Sequence, residues 1–495
     1  MNSHEPAPKR LGPVEWLICF IAVIGFAFDI YALLMLPLIV KPAIATLSAP
    51  LIDQMVAAGM PRADAVALWL PGGDRYVEWA RVLFFVPAIF GGVFGLLGGY
   101  LTDRWGRRRI LTFSILLYGF AAAATGFSTS LTELLIYRCL VFIGVCVEFV
   151  AAVAWLAELF PNPKQREKVL GFTQAFSSVG GFMVSGGYLL CVKFANDLPA
   201  LYGTHEAWRY TLISGVIPAI PVMIIRPFLP ESPVWQQKRV SGQLKRPSLA
   251  ALFSPELRRT TLVTALVVGS CYGMAFGAIQ HLPQIVPGLA DVKAAAQAKG
   301  EALVQAAAAA GKPRPDPKAI IAAQRLEEQA LAGNVQLWQE IGGMFGRLAL
   351  AGVIVWLASK RRVLRLFHLP GMIWVILYFW WLSKNLDAPN NLTAVRWGAA
   401  LCGFFVVATF SFWGNYLPLV YPVHLRGTGE SFAANIGGRI LGTSAAWFTF
   451  TLAATKPPNP SKIALTAALV AGGFALFGAV LTHLLAEPEP TASQH

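Results

Sequence analysis

Long apolar blocks alternate along the chain with short polar, often basic gaps. Twelve blocks reach the roughly 20 mostly apolar residues that a bilayer-crossing helix needs. They lie at 14–40, 79–101, 110–127, 131–156, 168–190, 208–228, 258–283, 335–358, 367–384, 393–417, 430–453 and 462–485. None shows the alternating pattern of a transmembrane barrel strand. The pattern predicts an all-α polytopic membrane protein with twelve transmembrane helices in two six-helix halves. The first half covers 1–228 and the second 258–485, joined by a basic, proline-containing linker at 229–257 and followed by a tail at 486–495. An even number of crossings puts both termini on one side. Lys and Arg crowd the short gaps on that side, such as 102–109 and 359–366, which marks it as cytoplasmic. The opening run is too long for the apolar core of a cleavable signal and is read as the first span.

Two segments on the other side are unusual. Residues 41–78 contain Pro42, Pro50, Pro61 and Pro71 with Gly72 and Gly73, and are expected to form an irregular cap with a short helix. Residues 288–334 are rich in Ala, Gln, Glu and Lys and are broken by Gly311, Pro313, Pro315 and Pro317. They predict a helical hairpin outside the membrane, with arms at 291–310 and 317–333. This insertion is either a tolerated loop or an element that docks a protein partner or covers a gate. Glycines recur at helix-contact spacing: Gly91, Gly95 and Gly99; Gly269, Gly273 and Gly277; Gly342 and Gly346; Gly438 and Gly442. Such spacing predicts close helix packing, with or without sliding.

Composition sharpens the class. Of 495 residues, 56% are apolar and 13% charged, against about 45–50% and 25% in soluble domains. The net charge of +14 resides in the gaps between blocks, so it argues for membrane orientation and against nucleic acid as a partner. Six cysteines lack CxxC spacing and five lie inside apolar blocks, reading as small buried residues. Seven scattered histidines offer no metal-ligand spacing, and no glycine-rich loop ends in GK[ST]. No metal, no cofactor and no catalytic set is expected, so the chain is not read as an enzyme.

The segment GGYLTDRWGRRR at 98–109 places Gly99, Asp103, Arg104, Gly106, Arg107 and Arg108 between the second and third spans. It resembles the signature of the major facilitator superfamily, and most of all its sugar-porter and metabolite–proton symporter branches. Arg138 with Gly144, then Glu158, Pro161 and Arg166, Trp208-Arg209, PESPVW at 230–235 and HLRGTGESFAANIGGR at 424–439 extend the resemblance. Val234 stands where the sugar porters carry Arg. The second-half counterpart, WLASKRRVLR at 356–365, keeps Lys360, Arg361 and Arg362 but lacks the aspartate and central glycine. Any charge lock there must be weaker or differently made. The resemblance implies the major facilitator fold, alternating access, and a locking role for Asp103, Arg104, Arg107, Arg108, Glu158, Arg166 and Arg439 in gating.

Ionisable residues within spans are costly and mark function. Asp29, midway along span 1, is the first candidate for proton coupling, and Glu148 the second. Ten residues separate Arg138 from Glu148, about 80° around a helix, so the two share a polar quadrant without pairing. Arg138, Gln174, Gln280, Trp413 and Asn415 are candidate substrate contacts, since amides donate and accept and aromatic faces cover carbon skeletons. Each could instead be a structural polar contact. The leading function is a proton-coupled symporter of a small polar metabolite, an organic acid or sugar. The partners are that metabolite, protons and membrane lipid, and the compartment a cell membrane, with a bacterial inner membrane expected. The alternative is a transporter-like scaffold or sensor that binds a protein through 288–334.

Overall fold

A computed structural model describes residues 12–160, 162–217, 219–225, 230–242, 248–455 and 459–488. The long elements among these are all helices. Helix α1 (Pro13–Leu47) runs on through Pro37 and Pro42, as membrane helices can where neighbouring groups re-satisfy the backbone. The cap after it holds two short helices where one was expected, α2 (Ala49–Ala57) and α3 (Arg62–Trp69). Helices α4 (Asp74–Trp105), α5 (Arg107–Gly126) and α6 (Leu131–Leu159) follow. At the start of α6, Ser130 Oγ accepts from Glu133 N while the Glu133 carboxylate accepts from Thr129 N, a reciprocal cap.

The expected single span at 168–190 is two helices, α7 (Pro163–Phe176) and α8 (Val179–Lys193). Tight i to i+3 bonds, such as Gly180 N to Ser177 O at 2.9 Å, break the ladder between them. Next come α9 (Ala207–Ser214), α10 (Ala219–Ile225), α11 (Pro233–Val240), α12 (Arg258–Gly277) and α13 (Leu282–Ile285).

The insertion forms α14 (Ala290–Ala309) and α15 (Pro317–Trp356). Here the expected hairpin arm at 317–333 and the expected span at 335–358 are one rod. No proline interrupts 318–356, and 40 residues at 1.5 Å each give about 60 Å of helix. Helices α16 (Lys360–Asn385), α17 (Leu392–Cys402), α18 (Ala408–Val420), α19 (Arg426–Ser431), α20 (Ser444–Ala453) and α21 (Pro460–Leu481) complete the bundle. Two π-helical stretches, Gly403–Val407 and Phe432–Gly442, are spliced into it.

Among the described residues nine helical segments are long and apolar enough to cross a bilayer. The expected spans at 208–228, 335–358 and 430–453 fall short of that measure. The first is split into α9 and α10, with Pro218 and 226–229 outside the described residues. The second carries Gln336, Gln339, Glu340 and Arg347. The third carries Glu430, Asn435 and Arg439 and is interrupted by the π-helical stretch.

Polarity is arranged opposite to that of a water-soluble protein. Leu469 is 70% exposed and Phe120 63%, whereas Glu148, Glu340 and Arg347 are each 1% exposed. An apolar exterior around buried charge suits a hydrocarbon solvent, in which ionisable groups must face the bundle interior. The protein is therefore a multi-pass membrane protein.

Two long seams join helices from the two halves of the sequence. In one, α4 lies against α19, the 432–442 stretch and α20. A Cβ on Gly92 would stand 2.5 Å from Ile440, one on Gly95 2.5 Å from Asn435, and one on Gly99 2.6 Å from Ser431. In the other, α15 lies against α7 and α8.

Candidate functional site

At its end near Trp105, α4 turns sharply at Gly106, whose φ is +103°. That backbone favours glycine, and a Cβ there would stand 2.5 Å from Glu231 Oε2. Glu231 accepts from Arg107 N at 3.0 Å and Arg108 N at 3.1 Å, satisfying two amides that the start of α5 leaves open. The Arg107 guanidinium is buried between Asp103 Oδ1 at 3.1 Å and Glu158 Oε1 at 2.7 Å. Ser232 Oγ donates to the other Glu158 oxygen at 2.5 Å, and Trp235 Nε1 donates to the Asp103 carbonyl. Asp103 Oδ2 then crosses to the second half of the chain, accepting from Thr428 N at 3.2 Å and Thr428 Oγ1 at 3.0 Å.

The structure thus brings Asp103, Arg107 and Glu158 together and engages Arg108 through its backbone. Arg104 is exposed and Arg166 half-buried, and neither joins an ion pair among the described residues. Pro161 lies outside them. Arg439 departs from its expected place at this gate. It is 11 residues beyond Thr428, with its guanidinium 5.6 Å from the ring of Tyr272 in the last third of α12.

The second-half turn is built on the same plan with different chemistry. Glu487 accepts from Lys360 N at 3.0 Å and Arg361 N at 3.1 Å, as Glu231 does at α5. No aspartate holds the basic side chains from within the turn. Lys360 Nζ instead reaches Glu167 of α7 at 3.1 Å, so this contact too crosses between the halves of the sequence.

Deeper in the bundle, Glu148 of α6 presses against Gly25 of α1, where a Cβ would collide with its carboxylate. Gly25 precedes Asp29 by four residues, one helical turn, which places the two positions on one face of α1. The Asp29 side chain lies outside the described residues. Arg138 is buried on α6, its guanidinium 5.2 Å from the Phe142 ring. Gln174 packs on Gly414 and Asn415 lies near Gly171, so both amides lie where α7 faces α18. Trp413 packs among Phe412 and Tyr416.

Gln280 is elsewhere, in the short 3₁₀ turn Ile279–His281 beyond α12. The adjacent His281 helps line a pocket of about 70 Å³ with Lys41, Tyr76, Gln284, Thr449 and Phe450.

Several buried charges were not among the sequence candidates. Arg347 of α15 donates to Ser177 Oγ and lies 3.5 Å from the Gln174 carbonyl. Glu340, seven residues earlier on the same helix, lies against Gly181 of α8 and accepts from Gln339 Nε2 at 2.9 Å. Both are ionisable residues inside a predicted span, the signal that singled out Asp29. Glu167, Glu231 and Glu430 were missed as well, and the first two look like ordinary surface acids until their partners are in place.

At the opposite end, the hairpin is tied to both halves of the sequence. Lys41 of α1 pairs with Glu328 at 3.2 Å and Gln336 Nε2 donates to Leu34 O at 3.3 Å. At its base, Asp291 accepts from Asn390 N at 2.7 Å and Leu392 N at 2.8 Å. Glu206, just before α9, has its carboxyl raised above the usual range by burial, against the opposing pull of Thr46, Arg209 and Arg325.

Comparison with known proteins gives these arrangements a context. A probable 4-methylmuconolactone transporter of Cupriavidus pinatubonensis is 26% identical over 422 residues, 84% of each chain. The 4-hydroxybenzoate transporter PcaK of Pseudomonas putida is 34% identical over 146 residues, 29% of this chain and 30% of that protein. The xylose transporter XylE from E. coli, in a partially occluded inward-open conformation, has the same fold. Its TM-score is 0.61 at 15% identity, over 94% of this chain and 97% of that one. Residues 65–312 match the Major Facilitator Superfamily. That match runs through the Asp103 cluster and takes in half of the chain, which makes the protein a member of the Major Facilitator Superfamily.

Proposed function

We propose that this protein is a proton-coupled secondary transporter, a symporter of a small polar metabolite, with organic acids the favoured class and sugars the second. Members of its superfamily are transporters, not enzymes. The chain would cross a bacterial inner membrane twelve times in two six-helix halves, 1–228 and 258–485, with both termini and the linker 229–257 in the cytoplasm. The observation that carries the reading is the Glu148 carboxylate, 1% exposed and set against Gly25 one turn before Asp29. A carboxyl group held inside a membrane bundle is expensive unless it is neutralised or used. Protonation at Asp29 and Glu148 would remove that cost and let the halves rock, driven by a gradient worth about 2.3 kcal/mol per charge per 100 mV.

Arg138, Gln174, Gln280, Trp413 and Asn415 would contact the substrate. Asp103, Arg104, Arg107, Arg108, Glu158 and Arg166 would form the cytoplasmic gate. The names of the relatives, a muconolactone and a hydroxybenzoate transporter, support the acid class. The hairpin's bonds to Leu34, Lys41, Asn390 and Leu392 support a gate-covering role for 288–334 over the docking of a protein partner.

The test is purified protein in liposomes under an acid-outside gradient, challenged with aromatic and aliphatic acids and with pentoses. Substrate-dependent proton uptake is expected, lost in Asp29→Asn and Glu148→Gln. Proton-driven accumulation that survives both substitutions defeats the coupling scheme. No flux of any compound in the wild type defeats the transporter reading.

A further inference from the structure

The break that ends α12 leaves a buried histidine without a role. Past Gly277 the chain turns at Ala278 into the 3₁₀ turn Ile279–His281 and then α13. The Thr449 hydroxyl donates to the freed Gly277 carbonyl at 2.7 Å. His281 is 1% exposed, and neither ring nitrogen has a hydrogen-bond partner among the described residues. The Phe276 carbonyl beside the ring can engage one of them at most, and Phe450 packs edge-on against it at 4.7 Å. A buried imidazole left in this way is costly unless something occupies the space next to it.

That space is the pocket of about 70 Å³. Gln284 also lines it, with an Nε2 that has no partner. Lys41 of α1 is the charged residue of the wall. Its ammonium lies 3.2 Å from Glu328 and has two further N–H donors. A second ammonium, Lys462, donates to the carbonyl of Ala454 in the same wall. The remainder is mostly apolar, with Val77, Phe450, Ala453, Pro460 and Ile463. No acidic residue lines the pocket among the described residues. The acids on the chain close to its wall are Glu328, paired with Lys41, and Asp74 and Glu78, both exposed at the start of α4.

We propose that this pocket binds a small monocarboxylate, of the size of formate or acetate. Its oxygens would accept from His281 and Gln284 and face the Lys41 ammonium, with any methyl group against Val77 and Phe450. Size sets the upper limit. Liquid water takes about 30 Å³ per molecule and a cavity of about 150 Å³ holds a benzene ring, so the pocket admits a carboxylate with little behind it. Chemistry sets the sign, because N–H donors without acceptors beside a cation, in a largely apolar wall, select an anion with a short carbon tail.

The wall comes from both halves of the sequence. Lys41, Tyr76 and Val77 belong to the first, and His281, Gln284 and Phe450 to the second. A ligand in the pocket touches both, and parting the halves at the hairpin end takes the site apart. Occupancy therefore favours the form closed at this end, by as much as the ligand binds that form better. None of the residues proposed above for proton coupling or substrate contact lines the pocket, so the inference does not depend on what the chain carries.

The test uses the purified full-length protein at fixed pH and ionic strength, with sodium formate, acetate or chloride, or with acetamide. Thermal unfolding reads binding in the wild type, His281→Phe, Gln284→Leu and the pocket-filling Ala453→Leu. Spin labels on Asp64→Cys and Lys384→Cys, both at the hairpin end and one in each half, read closure by the distance between them.

Formate and acetate should stabilise the wild type saturably at about millimolar concentration, the range open to so few atoms, and acetamide and chloride should not. His281→Phe and Gln284→Leu should each weaken acetate about 10- to 100-fold, the loss of one charge-assisted contact, and Ala453→Leu should abolish its effect. Saturating acetate should narrow the label distances toward the shorter ones. Equal stabilisation by acetate and chloride overturns the site, as does acetate binding undiminished in His281→Phe and Gln284→Leu. Label distances indifferent to bound acetate overturn the closure. Should the variants fail to fold, the wild type's choice of acetate over acetamide and chloride, with the label response, decides. All of these results leave the transport reading untouched, since they involve no flux.

Discussion

The two seams between the halves of the chain are made on opposite principles. Along α4 the contact is glycine against side chain, with Gly92, Gly95 and Gly99 admitting Ile440, Asn435 and Ser431, and α4 itself carries charge only to either side of this stretch, as in Arg81 beside Thr451 and Asp103 beside Arg107. Along α15 charge recurs throughout. Arg325 and Glu328 stand towards the hairpin end, Glu340 and Arg347 in the middle, and Lys360 just beyond the other end. A dry, close seam gains from packing, which must supply helix association where lipid removes the hydrophobic drive. A charged seam gains little from burial and stays closed only while its charges balance. The closer packing of the α4 seam suits a pivot.

The largest effect should come from the charged end of the glycine seam. Arg107→Gln leaves Asp103 and Glu158 buried without their cation and should cost about 3–5 kcal/mol of stability, read as thermal unfolding in detergent. A loss below about 1 kcal/mol would mean that the cluster is wetter than its burial implies.

Next, Gly99→Val should overpack the pivot by about 1–3 kcal/mol and slow transport. Gly352→Val on α15, where a Cβ meets nothing within 4 Å, should be neutral. Equal effects at the two glycines would mean that the α4 seam is not closely packed at Gly99.

Smaller still, Glu167→Lys or Lys360→Glu alone should cost about 0.2–1 kcal/mol, as a partly exposed pair does, and should raise the reactivity of an engineered cysteine beside this pair. The double exchange should restore closure. If it does not, Lys360 is not the second latch.

The smallest effect is a pH dependence at the hairpin end. The Glu206 carboxyl is raised in the folded protein, so the native state binds its proton more tightly than the unfolded chain does. This contribution to stability should fall as pH rises through that range. Glu206→Gln should flatten the profile, and a wild-type curve rising over the same pH window would reverse the assignment.

Much of the Asp103 cluster was legible in the sequence because Asp103 and Arg107 sit in one short segment whose spacing survives translation into structure. Its partners Glu231 and Thr428 were present in quoted segments, yet their pairing needed the linker and α19 to fold back. Glu340 and Arg347 were visible as charges within a predicted span. What hid them was the absence of any local motif, since their meaning comes from α7 and α8, more than 150 residues earlier. Arg439 was misplaced for a related reason. Its place at the end of the 424–439 segment suggested the gate, whereas its guanidinium lies beside the Tyr272 ring.

The sequence by itself determined that the chain crosses a membrane as helices, because apolar length and basic gaps act locally on lipid and water. It also determined the family, because the 98–109 turn is a contiguous pattern. Only the tertiary structure decided which charges meet across the halves, that Lys360 reaches Glu167 in place of a missing aspartate, and that the hairpin arm and the following span are one rod. Those outcomes depend on distances between residues far apart in the chain, and periodicity along a single helix contains no information about what its polar face will touch.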